Sequence, residues 1–167
     1  MSEEDVSKVD IRKADLSSAS DSDALIHLLS SYACDPMGGS EDLPTFCKQN
    51  LVQKLAKIPY AHVLLCFVDQ APAGIAICFE GFSTFACAPL LNIHDFAVHP
   101  SFRGRGLSQR LLDAVESLAR EKHCCKITLE VLEGNTAAQA AYRRHGFAAY
   151  ELDPSKGKAL FWQKKIS

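Results

Sequence analysis

The sequence lacks the features that mark several large classes of protein. It has no excess of basic side chains, with 18 Lys and Arg against 20 Asp and Glu, so we expect no nucleic-acid partner. It has no long hydrophobic run: apolar stretches such as residues 61–68 have the length of a strand. A helix needs about 20 apolar residues to cross a bilayer, so we expect no membrane partner. Residues 1–8 are acidic and polar, unlike a signal peptide, which favours a soluble, cytoplasmic protein.

The usual signatures of metal and nucleotide sites are also missing. The seven cysteines show no CxxC spacing and the six histidines no HxxxH or HExxH spacing, so we expect no metal and free thiols in a reducing compartment. The GxxxxGK[ST] phosphate loop is absent. A GxGxxG fingerprint would need a third glycine where Gln109 stands. The sequence therefore predicts neither a phosphate loop of the GxxxxGK[ST] type nor a dinucleotide site of the GxGxxG type.

Hydrophobic periodicity predicts one α/β (α+β) domain over residues 9–167, preceded by a flexible tail over residues 1–8. The pattern predicts a mixed, mostly antiparallel central sheet of six to seven strands, flanked by about four helices. The strands are expected at 9–13, 61–68, 73–82, 90–98, 126–131, 148–152 and 159–164. The helices are expected at 20–31, 44–58, from 107 onward and 136–145.

The most informative segment is a strand, a short turn and a strongly patterned helix. The turn carries Arg103-Gly104-Arg105-Gly106. Glycines at such a junction let backbone N–H groups approach a ligand closely, and a helix N-terminus favours an anion. Two arginines can add charge to the same anion. The segment therefore predicts an anion site, with an ordinary tight turn as the alternative.

In this segment the sequence resembles the GNAT superfamily of acetyl-CoA-dependent N-acetyltransferases. Arg103, Gly106 and Ser108 stand at the three defined positions of the family signature [RQ]xxGx[GA], with Ser108 where Gly or Ala is usual. A second landmark follows about 30 residues later: Asn135, then a helix with Tyr142, then Gly-Phe at 146–147. Residues 91–98 look like the diamine and polyamine N-acetyltransferase branch, except that His94 replaces an acidic residue.

The resemblance implies that acetyl-CoA is the co-substrate, with no metal. Backbone groups of the fourth strand would bind its pantetheine arm, and amides of the glycine turn and the following helix would hold its pyrophosphate. Asn135 would touch the pantetheine or order its loop. The cofactor-binding set so implied is Phe96, Ala97, Val98, Arg103, Gly104, Arg105, Gly106, Leu107, Ser108, Gln109, Asn135, Ala138 and Tyr142.

The resemblance also implies the catalytic groups. Tyr142 matches the general acid for the leaving CoA thiolate. The base is His94 directly, or a water chain through His94, Asp95 or Glu80, and these three residues would bind the amine. An imidazole suits the task because its ordinary pKa of about 6.5 is close to neutrality. By pattern alone Tyr142 and His94 could be structural, and Asn135 could be a helix cap.

Together these features predict acetyl transfer from acetyl-CoA to a primary amine of a small acceptor. Acidic side chains, Glu80 and Asp95 among them, favour a cationic acceptor such as a diamine, a polyamine or an amino-acid-like amine. Two alternatives stay open: a protein N-terminal or lysine acetyltransferase, and a non-catalytic acyl-CoA sensor. The resemblance further leads us to expect a homodimer.

Overall fold

A computed structural model describes residues 7–166 of the chain. Residues 1–6 of the predicted N-terminal tail lie outside this part. The described chain forms two compact units, one up to Leu129 and one from Glu130 onward.

The first unit is built around one mixed sheet of five strands in the order β1-β2-β3-β4-β5. Neighbouring strands are antiparallel, except that β5 runs parallel to β4. Two helices lie between β1 and β2 in the chain, and a third joins β4 to β5. The elements are β1 (Val9–Lys13), α1 (Ala19–Cys34), α2 (Thr45–Ala56), β2 (Ala61–Val68), β3 (Ala71–Ser83), β4 (Ala88–Val98), α3 (Leu107–Glu121) and β5 (Ile127–Leu129).

The helices cover both faces of the sheet because each carries an apolar stripe. On one face, Leu25 and Leu28 of α1 pack with Leu65, Ile75 and Ile77 of the central strands. These five side chains are at most 3% exposed. Full burial of a Leu or Ile side chain contributes about 1.5–3 kcal/mol, so this cluster fixes the position of α1 against β2 and β3.

On the other face, α3 packs through a regular apolar stripe. Leu111, Leu112 and Val115 are at most 1% exposed, at the spacing of a helix that buries one side. A methyl group on Gly74 of β3 would lie 3.5 Å from Leu111. Helix α3 therefore starts close to the end of β4, which places the glycine turn between them.

The first turn of α1 is tied to β1 by a buried carboxylate. Asp21 is 2% exposed and accepts two hydrogen bonds from the Arg12 guanidinium, at 2.6 and 2.7 Å, and one from the Asp15 N–H at 2.8 Å. The Arg12 hydrogen bonds hold the pKa of the Asp21 carboxyl below its ordinary value. The charged form of Asp21 is therefore part of the fold.

We expect Asp21→Asn to lower the free energy of unfolding by about 2 kcal/mol near pH 7, since it weakens charge-assisted hydrogen bonds. Because the folded pKa lies below the unfolded value, this stabilisation is present above about pH 4 and is lost as pH falls through the folded pKa. Urea unfolding at several pH values measures both effects. The control is Asp23→Asn, an exposed carboxylate of the same helix. Equal losses in the two variants would contradict this role.

The second unit contains α4 (Thr136–Arg144) and a 3-10 turn at Pro154–Lys156. The prediction of six to seven strands is wrong: residues 7–166 form five. Segments 148–152 and 159–164 form no ladder in the described residues. The chain there has one isolated bridge, between Glu151 and Lys158, and one hydrogen bond from the Ala159 N–H to the Tyr150 carbonyl at 3.4 Å. Their alternating apolar residues predicted half-buried strands, but a strand also needs a partner ladder. Their large apolar side chains are instead exposed, namely Tyr150, Leu152, Leu160, Phe161 and Trp162.

The four predicted helices are confirmed in the described residues. Within residues 7–166, none of them is both long and apolar enough to cross a bilayer.

Candidate active site

A bulge in β4 is the central feature of the candidate site. The ladder between β3 and β4 runs in register as far as Ile77–Asp95 and resumes at Cys78–Ile93, so His94 is the extra residue. The parallel ladder between β4 and β5 ends at Ile93–Leu129, one residue before the bulge. Bulges bend a strand and redirect its side chains. The last residues of β4 therefore continue beyond the end of the β5 ladder.

The backbone of this last stretch has a definite orientation. The N–H of His99 donates to the carbonyl of Ala73 at 2.8 Å. Because backbone groups alternate along an antiparallel strand, those of Ala97 also point toward β3, and those of Phe96 and Val98 point the other way. An extended ligand lying along β4 on that side could pair with the strand as an added strand does.

His94 and Asp95 lie on the sheet face that α1 covers. Asp95 pairs with Ile77, a member of the core on that face. The ring of His94, an exposed residue, lies 5.5 Å from the ring of Phe79, which lies 6.3 Å from the ring of Tyr60. This face thus combines an imidazole, a carboxylate and aromatic surface. Such surface suits an alkylammonium group.

Asp95 is half-buried, and burial raises the pKa of its carboxyl, while the nearby His94 acts in the opposite direction. Tyr32, in the last turn of α1, lies near it. Burial raises the pKa of the Tyr32 hydroxyl, and the charges of Asp95 and Asp35 add to the effect. The charges of both carboxylates therefore act on a phenol of the helix that covers this face.

Glu80 is placed apart from His94 and Asp95. It follows Phe79 directly in β3, so its side chain leaves the opposite face of the sheet. There it lies 2.5 Å from Nε2 of the buried His62 and 3.2 Å from Nζ of Lys122. The hydrogen bond to His62, supported by Lys122, lowers the pKa of the Glu80 carboxyl. The structure thus gives Glu80 two partners on the α3 side and does not bring it to the other two residues.

The glycine turn between β4 and α3 adopts the geometry that its sequence predicts. We call residues 99–106 the cofactor loop. Gly104 and Gly106 have φ values of 79° and 72°, a region that L side chains rarely occupy. A methyl group on either glycine would meet nothing within 4 Å, so backbone conformation, not crowding by neighbours, requires glycine. The open space leaves room for a ligand to approach both residues.

The cofactor loop ends at the N-terminus of α3. Gly106 is the N-cap, and the N–H of Arg110 makes a helical hydrogen bond to its carbonyl at 3.4 Å. The amides of Leu107 and Ser108 precede this bond, in the turn where helix donors lie outside the helical ladder and the dipole favours negative charge. This donor set fits a pyrophosphate.

Two arginines lie within the cofactor loop, and each has a defined contact. The guanidinium of Arg105 lies over the ring of Phe102, 5.5 Å from its centre. Arg103 donates from Nε to the carbonyl of Val98 at 3.1 Å and from a terminal nitrogen to Asp35 at 2.9 Å. Both arginines are exposed, so their positive charge is available at the turn.

In the second unit, the later sequence landmark forms a capped helix. The side chain of Asn135 accepts a hydrogen bond from the N–H of Ala138 at 3.1 Å, so Asn135 is the N-cap of α4. Tyr142 is 9% exposed, and its ring lies 5.8 Å from that of Phe147. Gly146 has a φ of 98° just beyond the helix, the usual role of glycine there. Asn135 and Tyr142 therefore lie on one short, well-defined helix.

Sequence reasoning missed the partners of several of these residues. The contact of Phe79 with His94, the pairing of Glu80 with His62, and the pairing of Arg103 with Asp35 all join positions far apart in the chain. The only local signal was the alternation in β3, which separates Phe79 from Glu80. In the described part of the chain, no group of three or more His, Cys, Asp or Glu side chains is arranged to hold a metal ion.

The fold and the family of this chain are those of acyltransferases. Residues 26–147 match the model of the Acetyltransferase (GNAT) family, and the chain belongs to this family. Acetyltransferases of this family use acetyl-CoA. The predicted fold class and the family resemblance are thereby confirmed.

Similar proteins have several acceptors in their names. The chain is 31% identical to a thialysine N-epsilon-acetyltransferase of Caenorhabditis elegans, over 48% of this chain and 50% of that protein. It is 28% identical to a putative [ribosomal protein bS18]-alanine N-acetyltransferase of Bacillus subtilis, over 69% of this chain and 76% of that protein. The match thus spans only half of the nematode relative.

Solved structures show the same fold. An aminoglycoside N-acetyltransferase in complex with CoA superposes with a TM-score of 0.72 at 18% identity, covering 96% of this chain and 97% of that one.

Proposed function

We propose that the protein transfers the acetyl group of acetyl-CoA to a primary amine of a small cationic acceptor, namely a diamine, a polyamine or an amino-acid-like amine. The observation that carries this proposal is the position of the β4 bulge. His94 stands where β4 leaves β5, on the face with Asp95 and the aromatic rings, and the cofactor loop begins five residues later. The proposed amine site, at His94 and Asp95, and the proposed acetyl-CoA site, which begins at the end of β4, thus lie along one strand.

We propose that backbone groups make most of the contacts to acetyl-CoA. Phe96, Ala97 and Val98 would lie along the pantetheine arm, with the outward groups of β4 pairing to its amides. The amides from Gly104 to Gln109 would hold the pyrophosphate, and the charges of Arg103 and Arg105 would favour its binding. Asn135, Ala138 and Tyr142 of the second unit are proposed for cofactor binding from the family resemblance alone.

The acceptor side would use the imidazole and the carboxylate. Asp95 attracts the ammonium group, and His94 accepts a proton from it directly or through water. The aromatic surface of Tyr60 and Phe79 suits the alkyl chain of such an amine and a second cationic group on it. A relative named for thialysine acetylation supports an acceptor of this kind. Glu80, held by His62 and Lys122 on the other face of the sheet, takes no part in this proposed acceptor side.

When bound, acetyl-CoA supplies an activated acetyl group as a thioester. The amine enters as an ammonium ion and gives one proton to His94, which frees its lone pair. The C–N bond then forms and the C–S bond breaks, and the nitrogen loses its second proton. Tyr142 gives a proton to the leaving sulfur, and the hydroxyl is restored by one of the two protons released from nitrogen. The other proton leaves to solvent, so the step balances.

A protein acceptor is the second candidate function, because one relative is named for acetylation of a ribosomal protein alanine. Initial rates of CoA thiol release distinguish the two. The test set is thialysine, 1,4-diaminobutane, spermidine and a peptide with an N-terminal alanine. The proposal expects turnover of a small amine and little of the peptide. Turnover of the peptide alone would favour the second candidate, and acetyl-CoA binding without any turnover would favour a sensor.

The cofactor loop yields a prediction of its own. We expect Gly106→Ala to weaken acetyl-CoA binding about tenfold, because a side chain in the left-handed region costs about 1–2 kcal/mol and the amides of the turn would shift to relieve it. Calorimetric titration with acetyl-CoA measures the change. The control is Gly157→Ala, which has a similar positive φ of 77° in the second unit. It should lower stability alone, and equal loss of acetyl-CoA affinity in both variants would refute the assignment.

A cytoplasmic location and a homodimer complete the proposal. All seven cysteines are free thiols, which suits a reducing compartment. The homodimer follows from the family resemblance, and sedimentation of the purified protein tests it.

A further inference from the structure

One ion pair links the cofactor loop to the loop that follows α1. Arg103 and Asp35 are 68 positions apart in the chain, and their side chains meet at 2.9 Å. The same guanidinium also holds the carbonyl of Val98, at the end of β4, at 3.1 Å. Arg103 is therefore fixed to the strand on one side and to the loop at residues 35–42 on the other.

Asp35 organises the 35–42 loop. Its second carboxylate oxygen accepts a hydrogen bond from the N–H of Met37 at 2.9 Å. Its carbonyl accepts hydrogen bonds from the N–H groups of Gly38 at 2.8 Å and Ser40 at 3.2 Å. Three backbone amides of this loop thus depend on one residue, and a shift of Asp35 would shift the loop with it.

The same loop reaches the acceptor face of β4 through Tyr32. The N–H of Asp35 donates to the carbonyl of Tyr32 at 3.0 Å. Gly38 lies so close that a methyl group there would come within 1.8 Å of that carbonyl oxygen. Tyr32 is in the last turn of α1, the helix that covers the face of the sheet where Asp95 pairs with Ile77. The loop is therefore packed against the end of the helix that covers the proposed amine site.

Arg103 can hold Asp35 and face an anion at the same time. A guanidinium has five N–H donors, and the two contacts named above use two of them. The remaining donors lie on a residue that directly precedes Gly104. An ion pair at this exposure contributes little to stability on its own, so loss of the pair should leave the protein folded.

We propose that the Arg103–Asp35 ion pair makes the order of the 35–42 loop depend on occupancy of the cofactor loop. An anion at the glycine turn fixes the guanidinium, the guanidinium fixes Asp35, and Asp35 holds the loop against Tyr32 beside the amine site. Asp35 is thus a positioning residue for the acceptor and does not bind it. The inference rests on the proposed function, because it takes CoA as the anion and the Asp95 face as the amine site.

Hydrogen exchange with CoA as the probe tests this link without any turnover. In the wild type, bound CoA should slow exchange of the Gly38 and Ser40 amides. In Asp35→Asn, which keeps an oxygen for the Met37 N–H but loses the ion pair, CoA should still bind, with a Kd within about twofold of the wild type, and the protection should disappear. The matched control is Asp42→Asn, which breaks the pair of Asp42 with Lys48 and should keep the protection.

Steady-state kinetics with thialysine give a second readout. We expect Asp35→Asn to raise the KM for the amine about fivefold, at the low end of coupling between two sites, with kcat and the affinity for CoA in the absence of the amine retained. Adding Arg103→Gln should raise the amine KM no further, because both changes break one link.

The outcomes separate this inference from the proposed function. Wild-type protein that does not bind CoA would refute both. Wild-type protein that binds CoA with no change in exchange of the loop amides would refute the inference alone. The same holds if Asp35→Asn keeps the CoA-dependent protection, or if the two substitutions raise the amine KM additively.

Discussion

Replacing Tyr142 with phenylalanine is expected to lower kcat by about 100-fold, the low end of what a general acid contributes. The change removes one hydroxyl from a residue that is only 9% exposed and keeps the ring that packs near Phe147. Acetyl-CoA binding should be largely retained, because the proposed contacts to the cofactor come mainly from backbone groups. Thiol release under saturating acetyl-CoA and amine measures kcat, and calorimetry measures binding.

The choice of acyl donor tests the same role of Tyr142. Without the proton donor the thiolate must leave unassisted, so the deficit of Tyr142→Phe should be smaller with an acyl donor whose leaving thiol has a lower pKa. Tyr150→Phe is the matched control, since Tyr150 lies in the same unit but is 65% exposed. A Tyr142→Phe variant with wild-type kcat would show that the tyrosine is structural and that another group donates the proton.

The second large effect is expected at the bulge. We expect His94→Gln to lower kcat/KM by about 100-fold near neutral pH, because the imidazole is the proposed acceptor of the ammonium proton. The deficit should shrink as pH rises toward the amine's own pKa of about 10, where the acceptor arrives deprotonated. Profiles of kcat/KM against pH for the two proteins measure this convergence.

Substitution of another exposed histidine is the control for the effect on kcat/KM of losing an imidazole elsewhere on the surface. His123 has a positive φ of 55°, so His123→Asn suits its backbone and should match the wild type at every pH. Added imidazole should restore part of the activity of His94→Gln. A constant ratio between wild type and His94→Gln across the pH range would contradict a base and indicate that His94 only shapes the amine site.

The parts of the fold that the sequence predicted are those defined by local patterns. Helix α3 follows from apolar residues such as Leu111, Val115 and Leu118 at helical spacing, and all three are buried. The glycine turn follows because Gly104 and Gly106 carry their conformational preference within the residue itself. Local signals of this kind do not depend on where the rest of the chain lies.

The errors arose where structure depends on a distant partner. The segments at 148–152 and 159–164 have the alternation of strands, yet only Glu151 and Lys158 form a bridge. Distant partners also decide where Glu80 lies. Its carboxylate chemistry led us to group it with His94 as an amine-binding residue, whereas His62 and Lys122 hold it on the other face of the sheet. Nothing local to Asp35 marks it as the partner of Arg103.

Acetyl transfer from acetyl-CoA to a small amine can be observed directly. The most direct measurement is mass spectrometry of thialysine and spermidine after incubation with the protein and acetyl-CoA carrying an isotope-labelled acetyl group. We expect an amine to gain one labelled acetyl group, at a rate that is proportional to protein concentration and greatly reduced in Tyr142→Phe. Unmodified amines in the presence of a protein that binds acetyl-CoA would contradict it.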